Sequence, residues 1–176
     1  MSCDSFSCGN EELDDFFKND CLQYEKALLS KNYCYILDED PKTIVCVFTL
    51  SNESVRVDLL PNQRRKKIFK SYPQEKRLRR YPAILIGRLG VNTLFSNKGI
   101  GTEMMDIIKS WVTLPENVSA CRYIAVDALN NERTLSFYEK NGFACLFSSE
   151  IQEADNVKVK IPLKTRYMYF DLINLI

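Results

Sequence analysis

The segment Ser96-Asn97-Lys98-Gly99-Ile100-Gly101-Thr102 carries residue types that can hold an anion. A mostly apolar stretch, AILIGRLGVN at 83–92, precedes it. Met104, Met105, Ile108, Trp111 and Val112 follow at helical spacing. A helix that opens on glycine-rich backbone presents unpaired N–H groups at the positive end of its dipole. Without a Cβ at Gly99 and Gly101 the main chain can come close to a phosphate, and Lys98 adds a positive charge beside the turn. Pyrophosphate suits such a turn, although a plain strand-to-helix connection with glycines for packing has the same composition. The GxxxxGK(S/T) spacing of nucleotide-hydrolysing loops is absent, and so is GxGxxG.

The 176-residue chain contains no histidine, which removes Ser-His-Asp triads, Cys-His dyads and His-ligated zinc. No metal site is expected. The seven cysteines (3, 8, 21, 34, 46, 121 and 145) are odd in number and form no CxxC pair. Reduced thiols packed as small apolar groups in a cytoplasmic protein are the simple reading. No basic leader with an apolar run opens the chain, and no stretch of about 18 apolar residues could span a bilayer. Net charge is +1, but residues 63–80 hold nine of the 24 basic residues and one acid. The remainder carries 15 basic against 22 acidic residues. A basic segment therefore sits on an acidic body.

Several elements must position these groups. Leu13, Phe16, Phe17, Cys21, Tyr24 and Leu28 predict an amphipathic helix over 10–30, with acids in its first turn. Residues 33–39 and 43–51 read as a hairpin turning at Asp40-Pro41. Residues 53–81 read as loop with one short helix near 63–70. Residues 83–92 read as a strand, its two glycines marking a bulge or a close approach. A helix follows Gly99, a strand spans 123–129, and a helix runs from Asn131 to Gly142. Strands at 143–148 and 166–175 close the chain, with loop at 149–163. This order implies an α/β fold: a mixed, mostly antiparallel, twisted sheet with helices on both faces and a central parallel β-α-β unit. One domain spans 1–176, with a basic loop or helix insertion at about 61–80.

The second informative segment is Asn131-Glu-Arg-Thr134-Leu-Ser-Phe137-Tyr138-Glu-Lys-Asn-Gly142-Phe143. With Ser96-x-x-Gly99-x-Gly101, it resembles the GNAT N-acetyltransferase family, whose motifs are Q/R-x-x-G-x-G/A and N-x-x-A-x-x-F-Y-x-x-x-G-F. Thr134 replaces the alanine and Ser96 replaces the usual Gln or Arg; the backbone donors survive both changes. The opening Phe6-Ser-Cys8-Gly9-x-x-x-Leu13-Asp14-x-Phe16-Phe17 and the strand Ile86–Asn92 are similar to the branch containing toxins that acetylate aminoacyl-tRNA.

The resemblance implies acetyl-CoA as cofactor and a primary amine as acceptor. The pyrophosphate would meet Ser96, Asn97, Lys98, Gly99, Ile100, Gly101 and Thr102. Leu89, Gly90 and Val91 would pair with the pantetheine arm, and an N–H near Val91 would face the thioester oxygen. Tyr138 would protonate the leaving thiolate, since a phenol of pKa about 10 holds its proton at neutral pH. Asn131 either bonds a cofactor amide or caps its helix. The general base stays open between Asp127, Glu132, Glu139 and a water. In the resembled toxins the basic region helps bind tRNA, which makes Arg64, Arg65, Lys66, Lys67, Lys70, Arg77, Arg79 and Arg80 candidates for nucleic-acid contact, with Phe69 and Tyr72 able to stack on bases. The alternatives are a small amine or protein amino group as acceptor, or a non-catalytic acyl-CoA-binding module. An antitoxin and a homodimer paired through the last strand and its apolar tail are the expected protein partners.

Overall fold

The computed structural model describes residue 3 and residues 5–69, 79–117 and 119–176. Six strands form one mixed sheet in the order β1-β2-β3-β4-β6-β5. They are β1 (Lys31–Ile36), β2 (Ile44–Arg56), β3 (Arg80–Val91), β4 (Tyr123–Leu129), β5 (Ala144–Cys145) and β6 (Thr165–Asp171). The pairs β1–β2, β4–β6 and β5–β6 are antiparallel. A helix connects β3 to β4, the kind of link a parallel pair requires. The chain's contacts divide it into two compact units, with boundaries inside β2 and β3.

The first unit comprises residues 1–52 and 85–114. Its hairpin turns where expected: the Thr43 hydroxyl donates to Asp40 Oδ2 at 2.6 Å and the Thr43 amide donates to Asp40 O at 2.8 Å. The helix expected over 10–30 is broken into α1 (Glu11–Asp15), a π turn (Phe16–Asp20) and α2 (Cys21–Lys26). The π turn delivers two adjacent rings inward, and Phe16 and Phe17 join Phe6, Cys21, Ile44 and Val47 in one core. Burying each such phenylalanine contributes about 2 kcal/mol. The Arg88 guanidinium, on β3, lies 3.5 Å from the centre of the Phe16 ring.

The N-terminal motif has a clear structural role. Asp14 accepts from the Ser7 hydroxyl at 2.6 Å and the Cys8 amide at 2.7 Å, while the Asn10 side chain caps α1 through the Leu13 amide. Ser7 O in turn accepts from the Thr93 amide at 2.9 Å, tying this segment to the end of β3. A Cβ on Gly90 would lie 3.1 Å from Phe6 and 3.2 Å from Cys8. The close approach expected at a strand glycine is therefore made by the chain's own N-terminal segment.

The second unit comprises residues 53–84 and 115–176. Helix α3 (Asn62–Phe69) is the short helix expected inside the basic stretch. Leu60 and Ile68 pack over Val55, Val57, Tyr81, Ala83, Tyr123, Leu146 and Phe147. Helix α5 (Glu132–Lys140) begins and stops as its sequence signals indicate, with Gly142 at φ +81°. The loop expected over 149–163 contains a helix instead, α6 (Glu150–Val157). Ser149 accepts from the Gln152 amide at 3.2 Å, and the Gln152 side chain accepts from the Ser148 amide at 3.0 Å. This is a variant of the capping box, with the Gln152 side chain taking the amide just before the N-cap residue. The 143–148 strand shortens to Ala144–Cys145, and β6 stops at Asp171, whose side chain caps a short 3-10 turn, Leu172–Leu175. The tail is thus not a strand, and Leu172 is buried. Among the described residues no two cysteines are joined in a disulfide, and no helix is long and apolar enough to cross a membrane.

Candidate active site

The first unit carries the glycine turn that leads into α4 (Ile100–Val112). After β3, Asn92 is buried: its amide donates to Val45 O and its Nδ2 to Ile44 O, while its Oδ1 accepts from the Leu94 amide. These bonds lock the exit from the strand and set a 3-10 turn, Thr93–Phe95. Asn97 (φ +58°) and Gly99 (φ +83°) then take the left-handed conformation, and α4 (Ile100–Val112) begins. The first helical bonds are Thr102 and Glu103 N–H to Gly99 O, at 3.0 and 3.1 Å. The amides of Asn97, Lys98, Gly99, Ile100 and Gly101 have no acceptor among the described residues. Ser96 differs, since its amide bonds Thr93 O at 3.2 Å. A Cβ on Gly99 would meet nothing within 4 Å, so the turn is open outward. Five successive donors at a helix head, with Lys98 exposed beside them, form a concave electropositive cradle that fits a diphosphate.

From Lys98 and Gly99 a groove of about 960 Å³ runs along one side of α4. Tyr35, Ile107, Trp111 and Leu114 give it an apolar floor, and Glu103 and Asp106 edge it. Leu89, Gly90 and Val91 are the last three residues of β3 in the same unit.

The second unit carries Tyr138 on α5. The residue is 9% exposed, and its ring packs edge-on against Phe137 and Phe143 at centroid distances of 5.1 and 5.3 Å. Its hydroxyl makes no hydrogen bond to a described residue. Burial pushes the phenol up to about 12. Asn131 caps α5, its Oδ1 accepting from the Thr134 amide at 2.9 Å. Its other polar atom is left for any further contact.

The basic segment divides. Arg64 donates from Nε to Leu146 O at 3.1 Å and from a terminal nitrogen to Cys145 O. Arg65 donates to Val57 O at 3.1 Å, Asp58 O at 2.9 Å and Leu60 O at 3.4 Å. Both guanidiniums thus hold α3 onto its own unit. Lys66, Arg79 and Arg80 are exposed. Lys70 and Arg77 lie outside the described residues, as does Tyr72, and the side chains of Lys67 and Phe69 are likewise not described.

Of the candidates for base, Asp127 stands apart. It is open to solvent, yet burial, Glu53 and Glu153 raise its carboxyl above the usual aspartate range. Sequence reasoning passed over Glu53 and Tyr167. For Tyr167 the only signal was strand alternation: β4 and β6 pair Asp127 directly with Tyr167, placing both on one face of the sheet.

The chain matches the acetyltransferase (GNAT) family model over residues 9–143. No curated protein sequence matches it. Solved structures with a similar fold include one described as a bacterial toxin, at 15% identity and TM-score 0.71, covering 97% of this chain and 83% of that one. Another is AtaT complexed with acetyl-methionyl-tRNAfMet, at 17% identity and TM-score 0.69, covering 99% and 90%. A third is a tyrosine-to-phenylalanine mutant of KacT, at 16% identity and TM-score 0.67, covering 100% and 92%. With the anion cradle at the head of α4 and a phenol on α5, a family model spanning most of the chain decides the matter: the protein belongs to the GNAT family of acetyltransferases, N-acetyltransferases that use acetyl-CoA.

Proposed function

We propose that this protein transfers the acetyl group of acetyl-CoA to the α-amino group of an aminoacyl-tRNA. The observation that carries the reading is the run of five unpartnered amides from Asn97 to Gly101. Acetyl-CoA, when bound, supplies an acyl group activated as a thioester. The five amides and Lys98 would hold its diphosphate, with Ser96 and Thr102 flanking them. Leu89, Gly90 and Val91 would line the pantetheine arm, and the groove along α4 would take the nucleotide end. A donor N–H near Val91 polarising the thioester oxygen contributes on the order of 3 kcal/mol. Tyr138 holds a proton at its hydroxyl under all ordinary conditions, ready for a departing thiolate. Asn131 would add a side-chain amide to the cofactor while capping α5.

Three findings support the acceptor. AtaT, similar in fold, was solved with acetyl-methionyl-tRNAfMet. The N-terminal motif resembles that branch of the family, and Lys66, Arg79 and Arg80 are exposed and so open to phosphates. The same likeness makes an antitoxin a proposed partner, since AtaT was also solved with the C-terminus of AtaR. A homodimer and a cytoplasmic location belong to the same proposal.

The test is thiol release from acetyl-CoA by the purified protein, offered charged tRNAs, deacylated tRNA and small amines. Release with a charged tRNA alone is expected. A small amine with equal kcat/KM would overturn the acceptor, and no release with any amine would overturn the transferase.

A further inference from the structure

Helix α5 is held differently at its two ends. At its far end the Tyr138 ring packs on Phe143, Phe143 packs on Phe170 at a centroid distance of 5.6 Å, and the Phe143 amide donates to Tyr138 O at 3.0 Å. At its near end Asn131, Glu132 and Arg133 are exposed, so packing does little to fix where the helix begins.

Hydrogen bonds fix it instead, through Asn130, the residue between β4 and the cap. The Asn130 amide donates to Lys164 O at 3.0 Å, one step beyond the last pair of the β4–β6 ladder, Leu129 with Thr165. Its Nδ2 donates to Leu163 O and to Glu150 Oε1, both at 2.9 Å. Glu150 Oε1 also accepts the Leu163 amide at 2.6 Å. One carboxylate oxygen, in the first turn of α6, therefore joins the end of β4, the head of α6 and the chain entering β6. Glu150 and Asn130 are half-buried and Leu163 is buried. Bonds to a charged acceptor in such surroundings are roughly twice as strong as neutral ones.

We propose that Glu150 is a positioning residue for the transfer reaction: through Asn130 it sets the direction in which α5 leaves β4, and with it the aim of Asn131 and of the Tyr138 hydroxyl. The assignment rests on the reading of Tyr138 as the proton donor. Asn131 is the next residue, and Tyr138 stands about 10 Å further along the helix. A tilt of the first turn redirects both, and displacing a catalytic group by about 1 Å costs about a hundredfold in rate. The fold depends on the clamp much less, because the β4–β6 ladder and the stacked rings at the far end hold without it.

Hydrogen exchange and kinetics on full-length variants test this. In Glu150→Ala the Thr134 and Leu135 amides, which bond Asn131, should exchange about tenfold faster or more, while the Phe143 amide at the far end keeps its rate. Thiol release should lose about tenfold or more in kcat, and coenzyme A affinity should change by less than about threefold. Glu150→Gln keeps an oxygen that can accept both donors and should restore both readouts. Asn130→Ala removes the other partner, leaves α6 intact and should repeat the Glu150→Ala pattern. Equal acceleration at Thr134 and Phe143 would make Glu150 a general stabiliser and overturn the assignment. So would an unchanged Thr134 rate, an unchanged kcat in Glu150→Ala, or a Glu150→Gln variant as impaired as Glu150→Ala. The expected exchange pattern with no thiol release even from the wild type would retain the clamp on α5 and overturn the transferase reading instead.

Discussion

At the scale of single residues, burial decides what each polar group can do. The proton on Tyr138 is held by burial, not by a partner. Tyr138→Phe should lower kcat about a hundredfold and leave coenzyme A affinity unchanged. Equal loss of both, by thiol release and calorimetry, would count against its assigned role. The phenol's folded value of about 12 lies above the unfolded value of about 10. The stability contributed by the neutral ring is therefore complete below about pH 10 and is lost as pH rises towards 12. Absorbance at 295 nm, wild type minus Tyr138→Phe, should show no phenolate from this residue at pH 10. Tyr138 was legible because it stands inside a motif. Arg64 and Arg65 were legible only as charges: backbone carbonyls 82 and 81 residues away take up Arg64, and no local pattern announces such bonds. Tyr167 was hard to single out for the same reason, since only the register between β4 and β6 sets it opposite Asp127.

At the scale of elements, glycines and caps separate the functional turn from the packing turns. Gly99 and Gly142 have nearly the same backbone, φ +83° and φ +81°. A Cβ on Gly99 enters open space, whereas one on Gly142 would lie 2.9 Å from Phe170 Cε2. Gly99→Ala should cost only the left-handed strain, about 1–2 kcal/mol. Gly142→Ala should cost more than Gly99→Ala by urea denaturation, because the Phe170 ring must shift as well. Ser149→Ala should lose about 1 kcal/mol by removing the α6 cap. A smaller loss at Gly142 than at Gly99 would contradict the packing account. The hairpin, α4, β4 and α5 were readable because periodicity and stop signals agree. Helix α6 was hidden by the polar composition of 149–163, although Ser149 and Gln152 spelled out its start. The π turn at Phe16–Asp20 could not be read, because adjacent phenylalanines fit an ordinary helix equally well.

At the scale of the whole molecule, a net charge of +1 conceals the separation of a basic segment from an acidic body. Affinity for charged tRNA should fall steeply from 50 to 200 mM salt. Replacing Lys66, Arg79 and Arg80 by alanine should flatten that slope by about one for each phosphate no longer neutralised, as read by filter binding. With no disulfide among the described cysteines, a reducing agent should leave Tm unchanged. The central claim concerns main-chain amides, and amide chemical shifts report on them directly. Titrating the 15N-labelled protein with coenzyme A should move Asn97, Lys98, Gly99, Ile100 and Gly101 most, with Gly99→Ala weakening the effect. Saturation by coenzyme A with those five amides unmoved would contradict the account.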